Sequence, residues 1–333
     1  VDPAGALEDT VPANGPITIR QLLTHTAGLG YQIVSKGPLQ AAYNQQGLVG
    51  GRVSRMPIPG FPVVTPAPGL AAWADRLAEL PLMYQPATKW SYSCSIDLLG
   101  RVIEVASGME FEAFLKKRIF DPCGMTSTWM QVPQSEAHRL TDNIGVLGGN
   151  VFPLDPAANS IYLDAPEVPA GGGGLVSSPK DYDRFLRMLL GYGRIDGKFV
   201  MSEEAVRVGT SNLLPATVDL TGSWLEGEGH GAGGRSTGAT FGWGGAAGTV
   251  AMVDSVRGVR EQIKDPQLQK DISAFIGQEA MHSKEHATYN EYAEAHGIDL
   301  RTLELRIKVL LEWITKFTTK KQRLAATCAL EHF

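Results

Sequence analysis

The sequence predicts an α+β fold that gives way near Asp254 to an all-α segment. Of 38 glycines only Gly258, Gly277 and Gly297 lie beyond that point, and of 20 prolines only Pro266 does. Upstream, helical windows alternate with Gly/Pro-rich loops and a strand-like run at 240–253, without the strand–helix alternation of a parallel sheet. Downstream, Gln262 to His332 reads as almost uninterrupted helix. The expected domains are therefore 1–252 and 253–333.

A chain of 333 residues is long enough for two cores without disulfides or structural metal. Residues 254–333 carry 12 basic and 12 acidic side chains, and the whole chain has a net charge of −5. Neither part has the basic surface of a nucleic-acid binder. Cys94, Cys123 and Cys328 are too scattered for a disulfide framework and include no Cys-x-x-Cys pair, which points to a reducing compartment. No apolar run reaches the roughly 18 residues of a membrane span, and no signal peptide is visible. The reading is a cytoplasmic protein; its first residue, Val1, is compatible with a processed or clipped end.

Ile17 to Leu23 starts a short helix that ends in the loop Thr24-His25-Thr26-Ala27-Gly28-Leu29. Gly47 to Gly69 is too rich in glycine and proline for regular structure. Ala71 to Leu80 is helical in period. Ser93 to Ser107 follows, with Ile96, Leu99, Val102, Ile103 and Val105 on one side and Gly108 as its C-terminal cap. Phe111 to Ile119 is amphipathic and closes at Asp121-Pro122-Cys123-Gly124. Ser178 caps a further helix with Pro179 as its first residue, and Tyr182, Phe185, Leu186, Met188 and Leu189 supply its buried face. Thr240 to Val253 suits closely approached strands with glycine at the contacts.

Five segments then follow one another in a recognisable order. They are His25-Thr26-Ala27-Gly28-Leu29; Trp90-Ser91-Tyr92-Ser93 running into Asp97 to Glu104; Cys123 to Thr128; Gly171 to Ser178; and Trp243 to Thr249. Together they resemble the serine β-lactamase-like hydrolases, most similar to the branch of class C β-lactamases and related carboxylesterases. The resemblance implies a partial β-lactamase/transpeptidase-like fold, a helical cluster plus an antiparallel sheet. It also implies a serine nucleophile with a lysine one helical turn later, a tyrosine, and a third motif on a strand. The lysine ammonium lowers a hydroxyl pKa, so that serine can attack a carbonyl near neutral pH.

By that resemblance Tyr92 is the proton shuttle and Ser93 its motif partner, and Trp243-Gly244-Gly245 holds the third-motif position. No lysine stands there, which favours ester over β-lactam substrates; the expected partner is a small-molecule ester or amide, with no cofactor. His25 reads as a loop-structuring residue, and Gly171 to Gly174 as close packing, since no P-loop lysine follows. The nucleophile is the exception: none of the 24 residues before His25 is serine or lysine. The literal Ser-x-x-Lys at Ser177 to Lys180 has Pro179 at a first helical position, which leaves Ser177 outside the helix. Gly234-Arg235-Ser236-Thr237-Gly238 lacks the strand and helix of a nucleophile elbow. The expectation is a serine hydrolase, esterase-like, that is inactive as this chain.

The second part reads as helices over Asp254 to Lys264, Gln267 to Tyr292, Leu300 to Phe317 and Lys320 to the end. Glu279, His282 and His286 stand at i, i+3 and i+7 on one face, and Glu331 in the last helix is a further candidate ligand. Glu-x-x-His is the ligand unit of ferritin-like dinuclear sites; the alternatives are a single zinc at His282 and His286, or solvated surface histidines. The text around Asp254, Phe275 to His282 and Leu324 to His332 also resembles a family labelled predicted metal-dependent hydrolases, which implies iron or zinc. Both families look incomplete on either side of the seam at Val250 to Asp254. A non-functional fusion of two gene fragments is the third reading.

Overall fold

The computed structural model describes residues 5–51, 53–58, 62–147, 150–237, 240–245 and 249–253. These all fall in the first of two compact units, 1–278. The four helices expected after Asp254, with Glu279, His282, His286 and Glu331, lie outside the described residues.

The first helix, α1 (Ile19–Leu23), is started by a capping box in which Thr18 and Gln21 each satisfy the other's backbone amide. Next come α2 (Gly37–Gln45) and α3 (Gly69–Ala78), and between them the stretch from Gly47 forms no regular element among the described residues. Helix α4 (Ser95–Ser107) ends on Gly108, whose φ of 67° is the left-handed cap that glycine adopts without strain. Around Trp73 these helices gather Leu22, Tyr43, Leu70, Leu77, Leu99 and Phe111 into the first core.

Two expectations about buried faces need correction. Val105 is 68% exposed, and Tyr182 is 42% exposed. In α4 the fully buried positions are Ser95, Asp97, Leu99 and Gly100, while Ile96, Val102 and Ile103 of the expected stripe are partly buried against the first core. Gly100 lies beside Leu70 and Phe111, so the helix packs there by close approach. The helix expected over Phe111 to Ile119 is longer: α5 (Phe111–Leu115) passes through a π-turn at Lys116–Phe120 into α6 (Asp121–Cys123).

A hairpin, β1 (Asn143–Leu147) with β2 (Asn150–Asp155), precedes α7 (Pro179–Leu190), whose N-cap is Ser178. The short pair β3 (Arg194–Ile195) and β4 (Lys198–Phe199) leads to α8 (Glu203–Gly209). The main sheet is four-stranded and antiparallel, in the order β5 (Gly229–His230), β6 (Arg235–Ser236), β7 (Phe241–Gly244), β8 (Val250–Val253). Gly242 faces Met252 in register, and a Cβ there would collide with the Ala251 carbonyl, which is why glycine stands at that crossing. Val253, 1% exposed, joins Phe120, Met125, Met188, Leu189 and Val206 in a second core. The last described residue before the seam is thus part of the hydrolase packing.

Candidate active site

The loop after α1 forms a bed on which residues 83–94 are laid. Backbone amides of Met83, Ala87, Ser91 and Cys94 donate in turn to the carbonyls of Gly28, Thr26, His25 and Gly30 at 2.7–3.1 Å. Gly28 has φ 81°, and a Cβ on it would run into the Tyr84 carbonyl, so glycine is required twice over. The hydroxyls of Thr24 and Thr26, both fully buried, bond each other at 2.9 Å.

His25 is held at φ 53°, a conformation side-chain-bearing residues seldom take. Its Nδ1 accepts the Ser93 amide at 3.2 Å and lies 3.0 Å from the Ser93 hydroxyl. An amide can only donate, so Nδ1 bears no proton and the ring is the neutral Nε2–H tautomer. Burial, with His230 nearby, pulls the His25 pKa down to about 3. The Ser93 hydroxyl is also 2.7 Å from that of Ser95 and is 3% exposed. The structure therefore turns Ser93 into the protein, where it fixes the backbone next to Tyr92.

Tyr92 is half-buried and meets Trp243 in a stacked pair, 5.8 Å between centroids and 21° between planes. The Trp243 indole N–H lies near enough to the phenol to favour its charged form. Trp224, Tyr31 and His25 complete the ring cluster at 5.3, 5.6 and 4.9 Å. Burial, and after it the nearby Asp97, raises the Tyr92 pKa, while the Trp243 indole N–H acts against this. At neutral pH the phenol is protonated. A cation brought beside it would be needed to make it a base.

Gly244 ends β7 opposite Val250, and the Gly245 amide donates to the Thr249 carbonyl at 2.6 Å, so both glycines shape the turn that carries Trp243. A Cβ on Gly245 would collide with the Thr249 hydroxyl. Asp97 is fully buried and accepts the Gly172 amide at 2.8 Å, and burial raises its pKa to about 6. Gly171 packs so closely on α4 that a Cβ would strike the Ile96 carbonyl, a close-packed glycine run as its sequence implies.

The serines of the literal Ser-x-x-Lys and Gly-x-Ser-x-Gly stretches, Ser177, Ser178 and Ser236, are engaged elsewhere. The Ser178 hydroxyl accepts the Asp181 amide at 3.2 Å as a helix cap, and that of Ser177 pairs with Thr128 at 2.8 Å. Ser236, 1% exposed in β6, donates to the Thr210 carbonyl at 2.9 Å.

Of the rings at the site, Trp90 stands in the second motif, whereas Trp224 and His230 escape sequence reasoning. Trp90, 3% exposed, packs on His230 at 6.1 Å and Trp224 at 6.3 Å. His230, fully buried, donates from Nδ1 to the Gly231 carbonyl at 2.8 Å, which leaves Nε2 as an acceptor with no partner among the described residues. Burial lowers its pKa to about 4. Only its place in a Gly-Glu-rich run, unusual for a buried histidine, could have marked it.

A helical cluster set beside an antiparallel sheet defines a β-lactamase/transpeptidase-like architecture. A solved hydrolase with promiscuous acyltransferase activity, EstCE1, shares it with a TM-score of 0.57 at 23% identity, covering 76% of this chain and 67% of that one. Residues 3–276 match the beta-lactamase family, and the chain belongs to it. Residues 245–333 match a second family, described as predicted metal-dependent hydrolase, so that the two matches overlap over 245–276.

Among similar proteins, an uncharacterised protein of Mycobacterium tuberculosis is 34% identical over 213 residues, 64% of this chain and 48% of the relative. Lovastatin esterase of Penicillium rubens is 30% identical over 195 residues, 57% of this chain and 43% of the relative. The chain spans about half the length of the curated relatives it matches. Among the described residues no helix is long and apolar enough to cross a membrane.

Proposed function

We propose that residues 1–252 carry the proton-transfer and substrate-lining part of a carboxylesterase-type acyl hydrolase acting on small-molecule esters. The observation that carries this is the Tyr92 phenol, half-buried and stacked on Trp243 in a cluster of rings. A protonated phenol held this way can deliver a proton to the alkoxide leaving an ester. The stacked indole holds the ring in place, and its N–H nearby stabilises charge on that oxygen as the proton departs. The esterase among the relatives supports ester substrates, as does the tryptophan at the third motif.

The nucleophile is not among Ser93, Ser177, Ser178 and Ser236, whose hydroxyls are capped, paired or buried. The 333-residue polypeptide is therefore expected to give no burst with an activated short-chain ester. A chain extended in frame by a Ser-x-x-Lys segment is expected to give one, and Tyr92→Phe to abolish it. An acyl adduct on any serine of the 333-residue polypeptide, seen by mass spectrometry, would overturn the assignment.

The match over 245–333 supports a second reading, a helical metal site. Two imidazoles and two carboxylates from Glu279, His282, His286 and Glu331 form a donor set that suits iron or zinc. Metal analysis of the purified chain is expected to find about one equivalent or more, lost in Glu279→Ala. A metal-free native protein that stays metal-free after incubation with iron or zinc would dismiss this reading.

A further inference from the structure

Trp224 is the exposed member of the ring cluster. Its indole is 60% exposed, although the residue that follows, Leu225, is fully buried. The turn that carries it is firmly built. The Ser223 amide donates to the Leu220 carbonyl at 3.0 Å, and the Leu225 amide to the Ser223 hydroxyl at 3.2 Å. Arg235 donates to the Trp224 carbonyl at 3.0 Å, forms an ion pair with Glu228 at 3.1 Å and lies over the Trp243 ring at 6.0 Å. One guanidinium thus ties the backbone of Trp224 to the face of the neighbouring indole.

The plane of Trp224 is tilted by 39° from Tyr92, whereas Tyr92 and Trp243 differ by only 21°. Tyr92 thus meets two indoles, one stacked and one tilted, and the tilted one is exposed on a fixed backbone. An exposed tryptophan loses the gain of burial, and here it loses it without the loop freedom that would let it fold back. A large, rigid apolar surface beside a reactive phenol is preorganised for a ligand that buries it.

We propose that Trp224 forms the outer wall of a subsite for a flat, apolar ring system on the substrate ester. This rests on the acyl-hydrolase reading of the same site and adds the class of ester to it. A planar group gains offset or edge-on stacking on an indole that a flexible alkyl chain does not, so the wall selects by shape. Aliphatic esters of similar size would meet the same rings with area contact alone.

Binding tests this without any turnover. The purified 333-residue chain is titrated calorimetrically with 2-naphthol and, separately, with 1-hexanol. Saturable naphthol binding is expected, weakened about tenfold in Trp224→Ala and less than about threefold in Trp224→Phe, with hexanol changed less than about twofold. Native-like affinity of Trp224→Ala for naphthol would overturn the proposal, as would an absence of saturable naphthol binding to the native chain. Circular dichroism checks that the alanine variant folds. If it does not, the Trp224 indole N–H resonance, assigned by its loss in Trp224→Phe, must shift on naphthol addition, and an unmoved resonance counts against the proposal. Naphthol binding that survives while the extended chain shows no acyl transfer removes the hydrolase reading alone; the reverse pattern removes only the subsite.

Discussion

Two segments approach Tyr92, and they are built on opposite principles. The loop Thr24 to Gly30 is buried throughout, with hydroxyls paired and carbonyls engaged by the chain that carries the tyrosine. The turn Ser223 to Gly231 leaves an indole 60% exposed and a buried imidazole nitrogen without a partner among the described residues. Satisfied polar groups and glycines fitted to a neighbouring backbone make a support. Unsatisfied or exposed groups on an equally well-anchored turn make a surface that meets something else. The five motifs that mark the family include the first segment and not the second, so the second is where this chain's own selectivity is to be sought.

The comparison breaks most sharply at Gly28. An alanine there would take φ 81° and drive its methyl into the Tyr84 carbonyl, backbone against backbone with no side chain to yield. Gly28→Ala is expected to cost more than about 4 kcal/mol or to prevent folding, as read from the urea midpoint of the native and variant chains. A loss below about 1 kcal/mol would mean the bed is pliable and the contrast between the two segments unsound.

His25 comes next. Alanine at this position removes the acceptor of a buried amide and puts a β-carbon at φ 53°, a loss of about 2 to 4 kcal/mol. Asparagine tolerates that conformation and carries a side-chain oxygen, so His25→Asn is expected to recover at least half of it. Equal destabilisation by both, measured by chemical denaturation, would show that ring packing rather than the Ser93 bond fixes the loop.

A smaller effect lies in the pH dependence of stability. Burial holds His25 at about 3 and His230 at about 4 in the folded protein. The unfolded chain takes up both protons near pH ~6.5, so their contribution is complete above that pH and is lost as pH falls toward 3 to 4. Asp97 acts in the opposite sense: raised to about 6, it keeps a proton that the unfolded chain releases near ~3.9, so its contribution is present below that value and is lost as pH rises through about 6. Between pH ~4 and ~6 these three groups leave a net difference of about one proton, a slope of about 1.4 kcal/mol per pH unit. Asp97→Asn keeps an acceptor for Gly172 and removes the compensating proton. It is expected to make the slope steeper by about the same amount, and an unchanged slope would place Asp97 outside the balance.

Local chemistry explains what could be read from the chain. The N-cap at Ser178, the proline after it and the left-handed Gly108 are each decided within a few residues, and the structure has all three. The lack of α2 from the sequence reading has a local cause too: it starts at Gly37-Pro38 with no side-chain cap and a weak apolar stripe. Val105 was misplaced because the buried face of α4 is chosen by what packs on it, and a fully buried Asp97 answering the Gly172 amide is invisible to periodicity. Tyr92 and Trp243 were found by motif. Trp224 lies 132 positions after Tyr92 in a run of glycine and glutamate, and nothing short of the antiparallel sheet and the turn beside it brings the two rings together.

Trp224 itself should matter least to stability. An indole that keeps 60% of its surface in solvent has little burial to lose, and its turn is anchored by Leu225 and by backbone bonds that alanine leaves intact. Trp224→Ala is expected to shift the unfolding free energy by no more than about 0.5 kcal/mol, the usual range for surface positions away from caps and charges. A ring retained by the fold for packing would instead behave as His25 does. A loss of 2 kcal/mol or more in the same urea titration would make the turn a second support, and the difference between the two approaches to Tyr92 would disappear.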